Sequence, residues 1–284
     1  CLSHGVREAD LSAVHIYFHF QDTYSSRRSR SRSRHDYPFR LQLVAAVLLL
    51  TCTQTASAYR PFDSTDAAVA GPGEFELELG PLGRLREGSK RFRVAPAVIG
   101  NFGFSGDREL VIQGQREVAL DRDVGEPASS IVDNGIFIKQ VLRQGVLQDK
   151  VGPSIATEYG FLLPALHGVG GTGFSVAGIV SDRWNAATIH LNAVAAMTRD
   201  HEPDLFLGAI IEGPHSWIVR PVAELFVDQA SAHPRVTSRL IGAIWRVRDN
   251  LSFDVGVRSA RSGGEAIQEF RLGLTWALSW KNEP

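Results

Sequence analysis

The sequence has little that could cross-link it, ligate soft metals or give it a strong charge of one sign. Its 284 residues include two cysteines and one methionine. Both thiols, Cys1 and Cys52, precede the part that reads as folded, so that part has neither a disulfide framework nor thiolate ligands. Lys and Arg number 30 against 31 Asp and Glu, a formal net charge of -1, which excludes a polyelectrolyte and a basic nucleic-acid binder. With 27 glycines and 13 prolines the chain is neither collagen-like nor of low complexity. The apolar run at 41–50 falls short of the ~20 residues that a helix needs to cross a bilayer.

That run does fit a secretory signal. Arg40 supplies the basic flank, residues 41–50 the apolar core, and Ala56 and Ala58 the small residues before a cut. The expected division is therefore 38–58 as signal peptide, 59–73 as a periplasmic N-terminal segment and 74–284 as the folded body. A lipoprotein cut before Cys52 would follow Thr51, where a smaller residue is required. The sequence opens on Cys1 and its one methionine is Met197, so 1–37 reads as untranslated or disordered upstream sequence. The Arg-Ser alternation at 25–34 lies in that stretch. Such a run can bind phosphates by counterion release, but an export signal directly downstream argues against a nucleic-acid partner.

Beyond 73 the chain repeats one pattern: a run of alternating apolar and polar residues, then a break rich in Gly, Pro, Asp or Ser. Period two is the mark of a strand whose faces meet different surroundings. Twelve such runs can be counted. In the last, Phe270, Leu272, Leu274, Trp276 and Leu278 oppose Glu269, Arg271, Gly273, Thr275 and Ala277. In the first, Phe75, Leu77 and Leu79 oppose Glu74, Glu76 and Glu78. Phe92, Val94, Pro96 and Val98 are set against Arg91 and Arg93, and Leu225 and Val227 against Arg220, Glu224 and Asp228. The run at 132–143, with Lys139 beside Phe137 and Val141, is the least regular. No segment carries a convincing helix signal.

Alternation does not say which face is wet. A soluble sandwich buries its apolar face, whereas a membrane barrel turns it to lipid. Four features favour the barrel. There is an export signal; the body lacks cysteine; charges of both signs recur on the polar face; and long breaks near 81–90, 121–131, 162–173 and 228–236 alternate with short ones, as outer loops alternate with periplasmic turns. The break at 144–152 departs from that alternation. Tryptophans 184, 217, 245, 276 and 280 lie near run ends or on apolar faces, as aromatic girdles do. The expected fold is all-β: a closed antiparallel transmembrane β-barrel of about 12 strands, both ends periplasmic. First and last strands would then pair, with Glu76 and Glu78 beside Arg271 and Glu269.

The run Phe270-Arg271-Leu272-Gly273-Leu274-Thr275-Trp276 resembles the terminal strand by which the outer-membrane assembly machinery recognises bacterial barrels. From Tyr59 to Trp280 the chain resembles the outer-membrane transporter family named for the meta-pathway of phenol degradation. The resemblance rests on Glu74-Phe75-Glu76-Leu77-Glu78, on Gly-Pro-Ser-Ile-Ala-Thr-Glu-Tyr-Gly at 152–160 and on Arg-Leu-Gly-Leu-Thr-Trp at 271–276. It implies a barrel in the Gram-negative outer membrane that moves small, in some cases aromatic, molecules. It carries no catalytic residue with it.

The expected lumen lining is Glu74, Glu76, Glu78, Arg91, Arg93, Glu158, Arg220, Glu224, Asp228, Arg246, Arg248, Asp254, Arg258, Glu269 and Arg271. The two signs nearly cancel, which fits either a transverse field across a narrow pore or a self-neutralised filling. Twelve strands fall between the eight that side chains fill and the sixteen that leave a channel, so both remain open, as does whether the segment before Glu74 plugs the pore. His190 alternates with Asn192, but no serine joins them in that run, so the lipid-processing enzyme found on some barrels has little support. The histidines lack ligand spacing, and Gly168 to Gly173 neither follows a buried parallel strand nor opens a helix. No cofactor or metal is expected. The partners expected are membrane lipid, the assembly machinery and a small solute of unknown identity, and the reading is a passive channel, with a non-conducting barrel acting through its outer loops as the alternative.

Overall fold

The computed structural model describes residues 61–122, 127–167 and 170–279. Twelve strands follow one another: β1 (Glu74–Glu87), β2 (Lys90–Ser105), β3 (Arg108–Ala119), β4 (Ser129–Arg143), β5 (Ser154–Leu162), β6 (Gly173–Arg183), β7 (Thr188–Met197), β8 (Pro203–Glu212), β9 (Val219–Ala230), β10 (Val236–Arg248), β11 (Leu251–Ser262) and β12 (Glu265–Ser279). Each pairs antiparallel with its sequence neighbours, and β1 pairs with β12, so the sheet closes on itself. Closure leaves no strand edge, and hydrocarbon tolerates none, because each unpaired backbone group there costs several kcal/mol. The architecture is that of an outer-membrane barrel.

The apolar face points out. Phe270 and Leu272 on β12 are 44% and 45% exposed, while their neighbours Glu269 and Arg271 are buried in the lumen. This is the inversion that alternation on the last run predicts. The start of β1 and the end of β12 meet at one end of the barrel, with Glu74 opposite Ser279. The first-to-last pairing holds, but in another register: Glu76 faces Ala277 and Glu78 faces Thr275, whereas Arg271 faces Gly83 and Glu269 faces Leu85.

The cause is the expected long break at 81–90, which is strand for most of its length. β1 continues to Glu87 and turns at 88–89 into β2. Its register shifts between Leu79 and Leu82, which reverses which residues point inward: Glu76 and Glu78 are inward below the shift, Leu85 above it. β2 has a matching irregularity between Val94 and Ala97 in its pairing with β3. The wall is consequently uneven. β1, β2 and β4 have 14, 16 and 15 residues, whereas β5 to β8 have between 9 and 11. The shorter group matches the ~9–11 residues of a membrane-crossing strand.

The tryptophans mark one end only. Trp184 and Trp217 lie in turns at the end that carries the strand termini, and Trp245 and Trp276 stand on the last turns of β10 and β12 at that same end. Trp280 lies outside the described residues, as does the whole of the expected signal segment.

Candidate functional site

The lumen is not empty. Residues 61–72, which join no strand, cross it as a strap before the chain enters β1. At its start, Arg271 on β12 donates from Nη1 to the Pro61 carbonyl at 2.7 Å and from Nη2 to Asp63 at 3.0 Å. Arg258 on β11 stands 3.5 Å from Asp63 and 3.5 Å from Glu269, with its guanidinium 5.2 Å from the Phe226 ring. Glu224 on β9 then accepts the backbone N–H groups of Asp63 at 3.0 Å and Ser64 at 2.7 Å.

Further along, Asn192 on β7 clasps the Thr65 backbone on both sides of its Cα, accepting its N–H at 3.1 Å and donating to its carbonyl at 2.7 Å. Lys139 on β4 donates to the Thr65 hydroxyl at 3.2 Å and lies 3.8 Å from Asp66 and 3.7 Å from Glu109. Ser181 on β6 accepts the Ala67 N–H at 3.0 Å, Gln148 donates to the Ala67 carbonyl at 2.9 Å, and Glu109 on β3 accepts the Ala70 N–H at 2.6 Å. A strap without secondary structure has backbone groups to satisfy, and these wall side chains satisfy them.

Three wall glycines make room for it. A side-chain carbon at Gly103 on β2 would meet the Ala70 and Gly71 carbonyls, one at Gly208 on β8 the Ser64 hydroxyl, and one at Gly256 on β11 would lie 3.1 Å from Pro61. Each position would press a substituent into the strap.

Most of the expected lumen residues are inside. Glu76, Glu78, Glu224, Asp254, Arg258, Glu269 and Arg271 are all buried. Glu74, Glu158, Arg220, Asp228 and Arg246 are partly buried on the inward face, with Glu158 directly opposite Lys139 and Glu78 accepting from Asn101 at 2.8 Å. Three are not inside. Arg91 and Arg93 point outward, because the irregularities in β1 and β2 reverse the parity there; Arg93 is paired with Arg84, and Arg91 with Arg86, on the exterior. Arg248 lies past a register shift at the end of β10, opposite the outward Leu251, and is exposed.

Alternation alone misses Lys139, Glu109, Asn101, Asn192, Gln148 and Ser181. The run holding Lys139 reads as irregular because its inward face carries Phe137 and Val141 as well as the lysine.

His190 does have a serine beside it, contributed by the neighbouring strand. Ser181 Oγ is 2.8 Å from His190 Nδ1, and His190 Nε2 is 3.6 Å from Glu212. The three residue types are those of a hydrolytic triad. Here Ser181 is fully buried and its oxygen already accepts the Ala67 N–H. The arrangement holds the strap.

Between the strap and the wall lies a cavity of about 260 Å³ lined by Phe62, Thr65, Asn101, Val111, Lys139 and Phe206, among others. Among the described residues no cluster of His, Cys, Asp and Glu could hold a metal ion.

No protein-family model matches the chain, and no curated protein sequence does. Solved structures do. An outer membrane channel from Pseudomonas putida F1 superposes with a TM-score of 0.52 at 9% identity, covering 77% of this chain and all of that one. The KdgM porin, in complex with disordered oligogalacturonate, gives 0.48 at 8% identity over 72% of this chain and 98% of that one. The CymD monoaromatic hydrocarbon channel gives 0.40 at 7% identity over 75% and 90%. At these identities the likeness is one of fold, and only the first score exceeds one half.

Proposed function

We propose that the protein is a passive outer-membrane channel for small solutes whose lumen is stoppered by its own N-terminal strap. The observation that carries this reading is how the strap is held. It joins no strand, and its hydrogen bonds to the wall run to side chains such as Glu224, Asn192 and Glu109. Withdrawing it breaks those contacts and leaves the backbone ladder of the barrel whole. The strap also packs, Ala67 against Ala156, Ala177 and Ile179 and Phe62 against Val222 and Ile244, so opening exchanges both polar and apolar contacts for water and solute.

The resemblance to transporters of the phenol meta-pathway and the fold likeness to the outer membrane channel of Pseudomonas putida F1 support passage of small molecules, aromatic ones among them. A cavity of about 260 Å³ has room for a substituted single ring, since about 150 Å³ of apolar cavity holds benzene. Phe62 and Phe206 give it apolar surface, and Asn101 and Lys139 give it polar contacts.

The test is single-channel recording in planar bilayers of the full chain and of a variant lacking residues 61–70. The channel reading predicts larger conductance steps from the shortened chain. Silence from both folded proteins would instead favour a sealed barrel that acts through its outer loops.

A further inference from the structure

We infer that the outer face of β1 and β2, at the end of the barrel away from the tryptophans, binds the phosphate groups of a lipid headgroup in the outer leaflet. The inference rests on the reading of the chain as an outer-membrane barrel with its termini in the periplasm, and it concerns the exterior rather than the lumen.

The starting observation is an unfavourable pairing. Arg84 on β1 stands directly across from Arg93 on β2, and Arg86 directly across from Arg91. All four point outward and are exposed. Like charges in directly opposed positions destabilise an antiparallel pair, and two such pairs in succession concentrate four guanidinium groups on one small area of wall. Asp121 takes up one of them, binding Arg91 through two contacts of 2.7 Å. Arg86 donates to the Gly88 carbonyl at 3.2 Å. Among the described residues, neither Arg84 nor Arg93 is paired with a carboxylate. Arg116, outward and exposed on β3, adds a further positive charge beside them.

The height of the cluster selects the ligand. Below it the outer face is apolar: Phe270 lies beside Arg84, with Leu272 and Leu82 beneath. Eight residues along β12 separate Trp276 from Gln268, the partner of Arg86. At ~3.4 Å per residue and a tilt of ~40° this is roughly 21 Å of rise, close to the ~25 Å of a barrel's apolar band. The tryptophans therefore sit at one membrane interface and the arginines at the other, where long side chains reach up to headgroup level. On the outer face the four arginines adjoin the exposed Leu120, Val257 and Phe270, which joins charged and apolar surface. An amphiphile with acyl chains below and phosphate above fits that surface. Arginine forks bind phosphate oxygens in a bidentate manner and retain their charge at any pH the membrane meets.

The experiment measures retention of lipid by the folded full chain, using native mass spectrometry from zwitterionic detergent. The probes are lipid A carrying two phosphates, the same lipid after removal of its phosphates, and inorganic phosphate alone. The expected result is selective retention of the phosphorylated lipid, weakened about tenfold by Arg84→Gln with Arg93→Gln, and unchanged by Arg108→Gln with Arg143→Gln at the opposite end. Thermal unfolding supplies a second readout. Removing Arg93 relieves repulsion in zwitterionic detergent and so raises the midpoint, but lowers it once phosphorylated lipid is present. Equal retention of both lipid forms, or equal competition by millimolar inorganic phosphate, overturns the inference. Channel conductance, which reports on the lumen, stays the same in these variants, so failure here is distinct from failure of the channel reading.

Discussion

Arg271 on the closing strand and Asp63 on the strap lie 208 positions apart in the chain and meet at 3.0 Å, while the same guanidinium holds Glu269 at 2.7 Å. One buried cation thus joins the barrel seam to the stopper. Its carboxylate partners come from both, and removing it leaves Asp63 and the buried Glu269 to share Arg258, which stands 3.5 Å from each.

Arg271→Ala is accordingly expected to destabilise the barrel by less than the ~3–5 kcal/mol of a buried ion pair broken from one side, because Arg258 still neutralises both acids. It should also loosen the strap. Urea unfolding in detergent would measure the first effect and more frequent opening in planar bilayers the second; an unaltered opening frequency would dissociate the strap from gating.

Gly208→Val tests the strap by space rather than charge. A side chain there must displace Ser64, whose N–H is held by Glu224. Overpacking typically costs ~1–3 kcal/mol. Here the strap can yield in place of the wall, so the expected outcome is higher conductance with little loss of barrel stability, and a loss of stability with the conductance unchanged would contradict it.

The turn at 213–218 should respond to acid. His215 accepts from Arg220 at 3.0 Å, and partial burial, with Arg183, Arg220 and Arg246 nearby, lowers its pKa from the usual 6.5 of histidine to about 4. A histidine whose folded pKa is depressed takes up a proton more readily once the turn opens. Stability is therefore complete above about pH 6.5 and declines as the pH falls towards 4. Allowing for solvent screening, about 1 kcal/mol is at stake. Measured against the intrinsic exchange rate at each pH, protection of the turn amides should fall over this range in the natural chain, and His215→Gln should abolish that loss of protection.

The serine beside His190 invites a direct assay. Phospholipid hydrolysis is expected to be absent from the full chain, and equally absent from Ser181→Ala and His190→Ala. Ser181→Ala removes the acceptor of the Ala67 N–H and should cost roughly 1–3 kcal/mol, the penalty of an unsatisfied buried donor. Hydrolysis that disappears with either substitution would make the cluster an active site.

The barrel is legible in the sequence because alternation is a local property. Phe270, Leu272 and Leu274 announce their face without reference to anything distant. What escapes is whatever depends on one inserted or skipped residue, or on a segment remote in the chain. Arg91 and Arg93 alternate as regularly as any lumen residues, yet shifts near Leu79 to Leu82 and Val94 to Ala97 turn them outward. A one-residue slip reverses every side chain beyond it, and nothing in the alternation marks where it falls. The strap is hidden for the opposite reason: Asp63, Ser64 and Asp66 read as solvated loop because their partners lie more than 70 positions away. The inward glycines Gly208 and Gly256 become informative only when that remote segment is in place.

The unequal strand lengths bear on how the molecule sits among its neighbours. The long strands β12, β1, β2 and β4 face the bilayer on one flank and the short strands β5 to β8 on the other, so the rim slopes around the circumference. Surrounding molecules meet a high bank on one side and a low one opposite. A cylinder of uniform height rotates in the plane without consequence; this one has a heading.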